Sequence, residues 1–81
     1  MIQLTRSKPS NNLRRFYSLH LAPTLFGECA LIAEWGRVGS PGTVREQVFQ
    51  TEQSAKAALI KRVTAKTKRG YIRISYSRGI S

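Results

Sequence analysis

The chain has 81 residues; Lys and Arg together number 14, acidic residues 4, and the formal charge is +10. That length holds one small domain, which buries only ~60–65% of the surface its unfolded chain exposes. All four acids are Glu, and one His and one Cys complete the set of potential metal ligands, which excludes a structural zinc site and leaves little for hydrolytic catalysis.

A charge imbalance of this size predicts attraction to polyanions, because neutralising phosphates releases condensed counterions. Cys29 has no partner for an internal disulfide, and the opening MIQLTRSKPS lacks the apolar core of a secretory signal. No apolar run approaches the ~20 residues that span a bilayer. The expectation is a soluble cytoplasmic protein, nucleoid-associated in a bacterium, with no membrane partner.

The segment Ser7 to Asn12, SKPSNN, is a loop by composition and separates an N-terminal strand or arm, within residues 1–12, from the rest. In RRFYSLHLA, Tyr17, Leu19 and Leu21 alternate with Ser18 and His20, the period of a half-buried strand. PTLFGE then turns the chain. From Cys29 to Val38 a second strand is predicted, with Leu31, Ala33, Trp35 and Arg37 on one face and Ile32, Glu34, Gly36 and Val38 on the other. GSPG places Pro41 at the second position of a turn with Gly42 after it, and TVREQVF completes a hairpin.

After Phe49 the period becomes helical. Thr51 is the expected N-cap, with Glu52 in the first turn. Ala55, Ala58, Leu59 and Val63 form one apolar stripe, flanked by Lys56, Lys61, Arg62, Lys66, Lys68 and Arg69. Gly70 is the expected stop. In YIRISYS, Tyr71, Arg73 and Ser75 alternate with Ile72, Ile74 and Tyr76 as a final edge strand. One helix stripe and one sheet face bury each other in an α+β fold: a small antiparallel sheet with a helix packed on it. The domain proper is expected over residues 13–76, followed by a tail at 77–81.

No catalytic constellation emerges. The four glutamates fall on three different elements, and Glu34 and Glu46 read as exposed partners of neighbouring arginines across the hairpin. His20 reads as a surface strand residue. GRVGSPG lacks the Lys-Ser/Thr of a phosphate-binding loop and precedes a strand. The chain is therefore expected to be neither an enzyme nor the holder of a cofactor or metal.

What remains is a basic surface carrying aromatics. An indole beside a guanidinium on one strand face can stack on a sugar or base while the arginine bonds a phosphate. The competing reading places Trp35 in the core with Arg37 on its rim. Phe16 and Tyr17 read as core. The run KTKRGY is either a solvated basic helix end or a phosphate clamp edged by Tyr71.

The order of Phe16, Tyr17, Leu19 and Leu21, then WGRVG at 35–39, Phe49, the Ala55/Leu59/Val63 stripe, Lys66-Thr67 and Gly70-Tyr71 resembles the WGR domain. That family is found in eukaryotic poly(ADP-ribose) polymerases and in bacterial proteins, and the likeness spans roughly residues 14–72. It implies a curved antiparallel sheet with one helix, and binding of DNA ends or breaks. In the polymerases the tryptophan packs on a sugar near the 5′ end of a break, and the arginine contacts the terminal phosphate or neighbouring domains. The resemblance thus implies Trp35 as stacking platform, Arg37 as phosphate or partner contact, and Gly36 as the residue that keeps the strand surface open. By position and charge, Arg45, Lys66, Lys68, Arg69 and Tyr71 extend the nucleic-acid-binding set. Arg14 and Arg15 stand where the family often has a polar Asn, which replaces specific contacts there with phosphate attraction. The ADP-ribosyltransferase domain has no counterpart in the sequence. A DNA-binding module is the favoured reading; the other classes are an adaptor that uses the same face to bind a DNA-repair or other protein, and a general RNA-binding basic protein.

Overall fold

The computed structural model describes residues 1–8, 10 and 13–74. Strands β1 (Ile2–Lys8), β2 (Leu13–Pro23), β3 (Cys29–Arg37) and β4 (Thr43–Phe49) precede helix α1 (Glu52–Lys68), and a short β5 (Ile72–Ile74) follows it. The strands form one antiparallel sheet in the order β4-β3-β2-β1-β5. The helix packs across one face, as the α+β reading requires.

Residues directly opposite each other in an antiparallel sheet share a face. The pairings therefore define rows: Leu4, Tyr17, Trp35 and Thr43 in one, Ile2, Leu19, Ala33 and Arg45 in the next. These rows lie under the helix. Leu4, Leu19 and Leu31 are fully buried there, and Ala58, Leu59 and Val63 of α1 pack against them, so the alternation in the strands and the stripe in the helix close on one core. Cys29, at the start of β3, is buried.

The N-terminal strand is an interior element. It pairs with β2 from Ile2↔Leu19 to Lys8↔Leu13 and with β5 on its other side. A buried Leu4 explains why: the segment supplies apolar surface that the small core would otherwise lack.

The β3–β4 turn falls earlier than expected. Its hydrogen bond runs from the Ser40 N–H to the Arg37 carbonyl at 3.1 Å, with Gly39 at φ 88°. Positive φ at the third turn position selects glycine more strongly than proline selects the second. Pro41 and Gly42 instead belong to the return into β4.

Helix α1 begins and ends as its sequence predicts. The Thr51 hydroxyl accepts from the Ser54 N–H at 3.1 Å. At the other end Tyr71 N–H donates to Lys66 O at 3.1 Å and Gly70 N–H to Thr67 O at 3.0 Å, with Gly70 at φ 98°. This is a Schellman stop. It reverses the chain so that Tyr71 lies back beneath Lys66, and β5 follows along the edge of β1; Ser75 and Tyr76 of the expected final strand lie outside the described residues. Among the described residues no helix is long and apolar enough to cross a membrane.

Candidate nucleic-acid interface

The site is built where β1, β2 and β3 run out from under the helix. One row beyond Leu4, Tyr17 and Trp35, the register aligns Arg6 with Arg15 and Arg15 with Arg37. All three lie on the helix-facing side of the sheet. With strands ~4.8 Å apart, the ladder extends roughly 10 Å across them. Like charges directly opposite are destabilising. No carboxylate relieves them: among the described residues the single ion pair is Lys56 Nζ to Glu52 Oε2 at 3.9 Å, on the outer surface of the helix.

Beside this ladder stand the aromatics. Tyr17 and Trp35 stack with centroids 5.7 Å apart and planes 15° from parallel, and Tyr71 meets Tyr17 edge-on at 6.4 Å. Lys66 Nζ lies 4.5 Å from the Tyr17 ring centre and 5.6 Å from that of Tyr71. These are cation–π contacts. Partial burial, and then Arg69, Arg62 and Arg15, pull the Lys66 pKa below the ordinary lysine value. The Arg62 guanidinium donates through Nη1 to the Tyr17 hydroxyl at 3.3 Å and through Nη2 to Gln47 Oε1 at 3.2 Å. It thereby ties the helix to β2 and β4. Arg6 closes the corner, its Nε lying 3.6 Å from where a side-chain carbon on Gly70 would sit.

The predicted residues separate into two groups. Trp35, Arg37, Lys66, Arg69 and Tyr71 converge on this corner. Trp35 is half-buried, one ring face against Tyr17, so it is neither a core residue nor a free platform. Tyr71 is largely buried and serves the core as well as the corner. Arg45 lies on the same sheet face but on edge strand β4, one row back from Trp35. Lys68 is two residues beyond Lys66, roughly 200° around the helix, and exposed.

Gly36 corrects the expectation placed on it. Its missing side chain would point to the far face of the sheet, 3.1 Å from the Gly42 Cα and 3.5 Å from the Phe16 ring. The glycine makes room for the β3–β4 return and for Phe16, not for a ligand on the Trp35 side. Glu34 and Glu46 are also on that far face, but Glu34 pairs with Val44 and Glu46 with Ile32, so they do not oppose each other. Among the described residues neither forms an ion pair with an arginine; the arginines of the ladder lie through the sheet from them.

Arg6, Tyr17 and Arg62 were not foreseen as members of the site, and Arg15 was foreseen only as a source of general phosphate attraction, not as a rung of a ladder. The signal for Arg15 is in the sequence: it stands two residues before Tyr17, and Arg37 two residues after Trp35. Once Tyr17 pairs with Trp35 antiparallel, Arg15 must face Arg37.

An antiparallel sheet under one helix, with cations gathered around a stacked tyrosine and tryptophan and paired with no carboxylate among the described residues, characterises a small α+β domain. The WGR domain profile matches residues 1–78, and the chain belongs to the WGR domain family. It is 34% identical over 70 residues to the uncharacterised protein y4dW of Sinorhizobium fredii, a match covering 86% of this chain and 34% of the relative. The chain thus spans about a third of that protein's length. No solved structure matches.

Proposed function

We propose that the chain binds nucleic acid at this corner, and that its ligand is a DNA end or break. The observation that carries the reading is the Arg6–Arg15–Arg37 ladder, cationic on three adjacent strands and flanked by the Tyr17–Trp35 stack and Lys66. A phosphate oxygen resting between guanidiniums replaces their repulsion with charge-assisted hydrogen bonds. The uncovered part of Trp35 is beside it, where a terminal sugar or base can lie against the indole while its phosphate meets Arg15 and Arg37. Stacking covers the base faces of internal pairs, whereas an end presents one uncovered face. The protein acts by binding, in the cytoplasm, and needs no cofactor.

If four of these cations reach phosphates, log affinity should fall with log salt at a slope of about −3.6. The test is fluorescence anisotropy with a blunt, 5′-phosphorylated hairpin duplex against a closed dumbbell of equal length, following Trp35 emission. Tighter binding to the open end with quenched tryptophan supports the reading. Equal, salt-labile binding that leaves Trp35 unperturbed overturns the end preference, and a stronger RNA competitor of matched shape overturns the choice of DNA.

A further inference from the structure

The opposite end of the molecule carries a different surface. At the tip of the β2–β3 hairpin Leu25 is 98% and Phe26 86% exposed. Single exposed apolar residues are common on protein surfaces. Two adjacent large ones at a hairpin tip, where small polar residues are the rule, are not.

The tip is also held rigidly. Thr24 Oγ1 accepts from the Phe26 and Glu28 backbone N–H groups at 3.2 and 3.1 Å and donates to the Glu28 carboxylate at 3.4 Å. Thr24 N–H donates to Glu28 O at 3.0 Å, and Gly27 N–H to Thr24 O at 3.4 Å. Leu25 and Phe26 are therefore presented on a fixed loop, and little ordering entropy would be lost on docking. Beside them lies a cleft of about 340 Å³, lined by Leu21, Ala22, Pro23 and Cys29 with Glu28 and Glu52 at its sides. A projecting apolar pair next to a cleft of mixed polar and apolar lining is an arrangement a two-fold interface can use, because each copy must offer both the insert and its receptor.

Charge narrows the choice of occupant. A chain of net charge +10 repels its own copies almost everywhere. The cleft is lined by two of the four glutamates and by no lysine or arginine. Like the far face of the sheet, where Glu34 and Glu46 lie, it is a part of the surface where a second copy meets less repulsion than at the basic corner. The start of β3 at Cys29 is eight residues from Arg37, roughly 26 Å along the strand, so a contact here leaves both basic corners uncovered.

We infer that this end is a self-association surface, in which the Leu25–Phe26 tip of one copy enters the Leu21/Ala22/Pro23/Cys29 cleft of a second copy and receives the partner's tip in return. The pair would carry two nucleic-acid corners and so hold two ends together. The association itself does not depend on what those corners bind.

Sedimentation equilibrium on the full chain, up to roughly 0.5 mM as suits a small, weak interface, tests it at two salt concentrations. The expected weight-average mass rises from 9.1 kDa toward twice that value with concentration. It should rise further at higher salt, where screening of the like charges acts in the direction opposite to its effect on nucleic-acid binding. The double variant Leu25→Ser, Phe26→Ser should remain monomeric, keep the Tm of the dilute, monomeric wild type because both side chains are exposed there, and bind nucleic acid as a single site with unchanged affinity. A wild-type chain that stays at monomer mass throughout overturns the inference. So does a double variant that self-associates as the wild type does.

Discussion

Arg15 is the central rung of the ladder, with Arg6 on one side and Arg37 on the other, and Arg15→Gln separates its cost to folding from its use. Taking guanidinium heads ~6 Å apart in a water-like dielectric, each neighbour costs about 0.7 kcal/mol by Coulomb's law. Screening with a Debye length of ~8 Å at physiological salt roughly halves this, so the two neighbours together cost about 0.7 kcal/mol. Arg15→Gln should therefore stabilise the free protein by that amount, seen as a Tm rise of ~3–5 °C in thermal denaturation for a domain this small. In 1 M salt, where the Debye length is ~3 Å, the gain should nearly vanish. The same variant should flatten the salt slope of nucleic-acid binding by about 0.9. A variant that is less stable than wild type, or whose gain persists in 1 M salt, would refute the picture of a ladder held without a counterion. An unchanged salt slope would refute its contact with phosphate.

Trp35 should show both its roles. Trp35→Ala removes the stack on Tyr17 along with any ligand contact, so it should lower stability by ~2 kcal/mol by urea unfolding, below the cost at a fully buried site, and weaken binding by ~1–3 kcal/mol by anisotropy; loss of stability alone would place the tryptophan outside the interface. Leu4→Ala should cost about 3 kcal/mol, as for a fully buried leucine, and a near-wild-type denaturation midpoint would show that β1 is dispensable. Lys66 titrates in the folded chain below its ordinary 10.5. Between those two values the unfolded state binds more protons, so stability should rise with pH across the window just below 10.5, and below the folded pKa the charged amine opposes folding. NMR titration of the Lys66 ε-methylene should find the lowered midpoint and see it move up when a polyanion is added; a midpoint unmoved by the polyanion would remove Lys66 from the contact set.

Much of the fold is local and was therefore legible. Thr51 and Gly70 mark the helix ends because their side-chain and backbone requirements are met within a few residues. The alternation in β2, β3 and β4 assigns each residue to a face without knowledge of its neighbours. The same alternation put Trp35 and Arg37 on one face, and composition alone supplied the excess of cations. The order of motifs along the chain carried the family.

Beyond the β3–β4 hairpin, what the sequence by itself could not determine was which strands lie side by side and in what register. Arg6 and Arg37 are 31 residues apart with Arg15 between them, and only the pairings Leu4↔Tyr17 and Tyr17↔Trp35 bring the three into one row. A slip of one residue would send each arginine to the far face. The turn position decided the place of Gly36: with the β3–β4 reversal at Gly39, the chain returns past Gly42 and Phe16 and fills the space that Gly36 leaves. Likewise Leu25 and Phe26 read only as part of the PTLFGE turn, and it is the folded hairpin that leaves both side chains exposed at its tip. Chemistry was written residue by residue, whereas the site and the free surface exist only where distant segments meet, because register and burial are properties of pairs of segments and not of either segment alone.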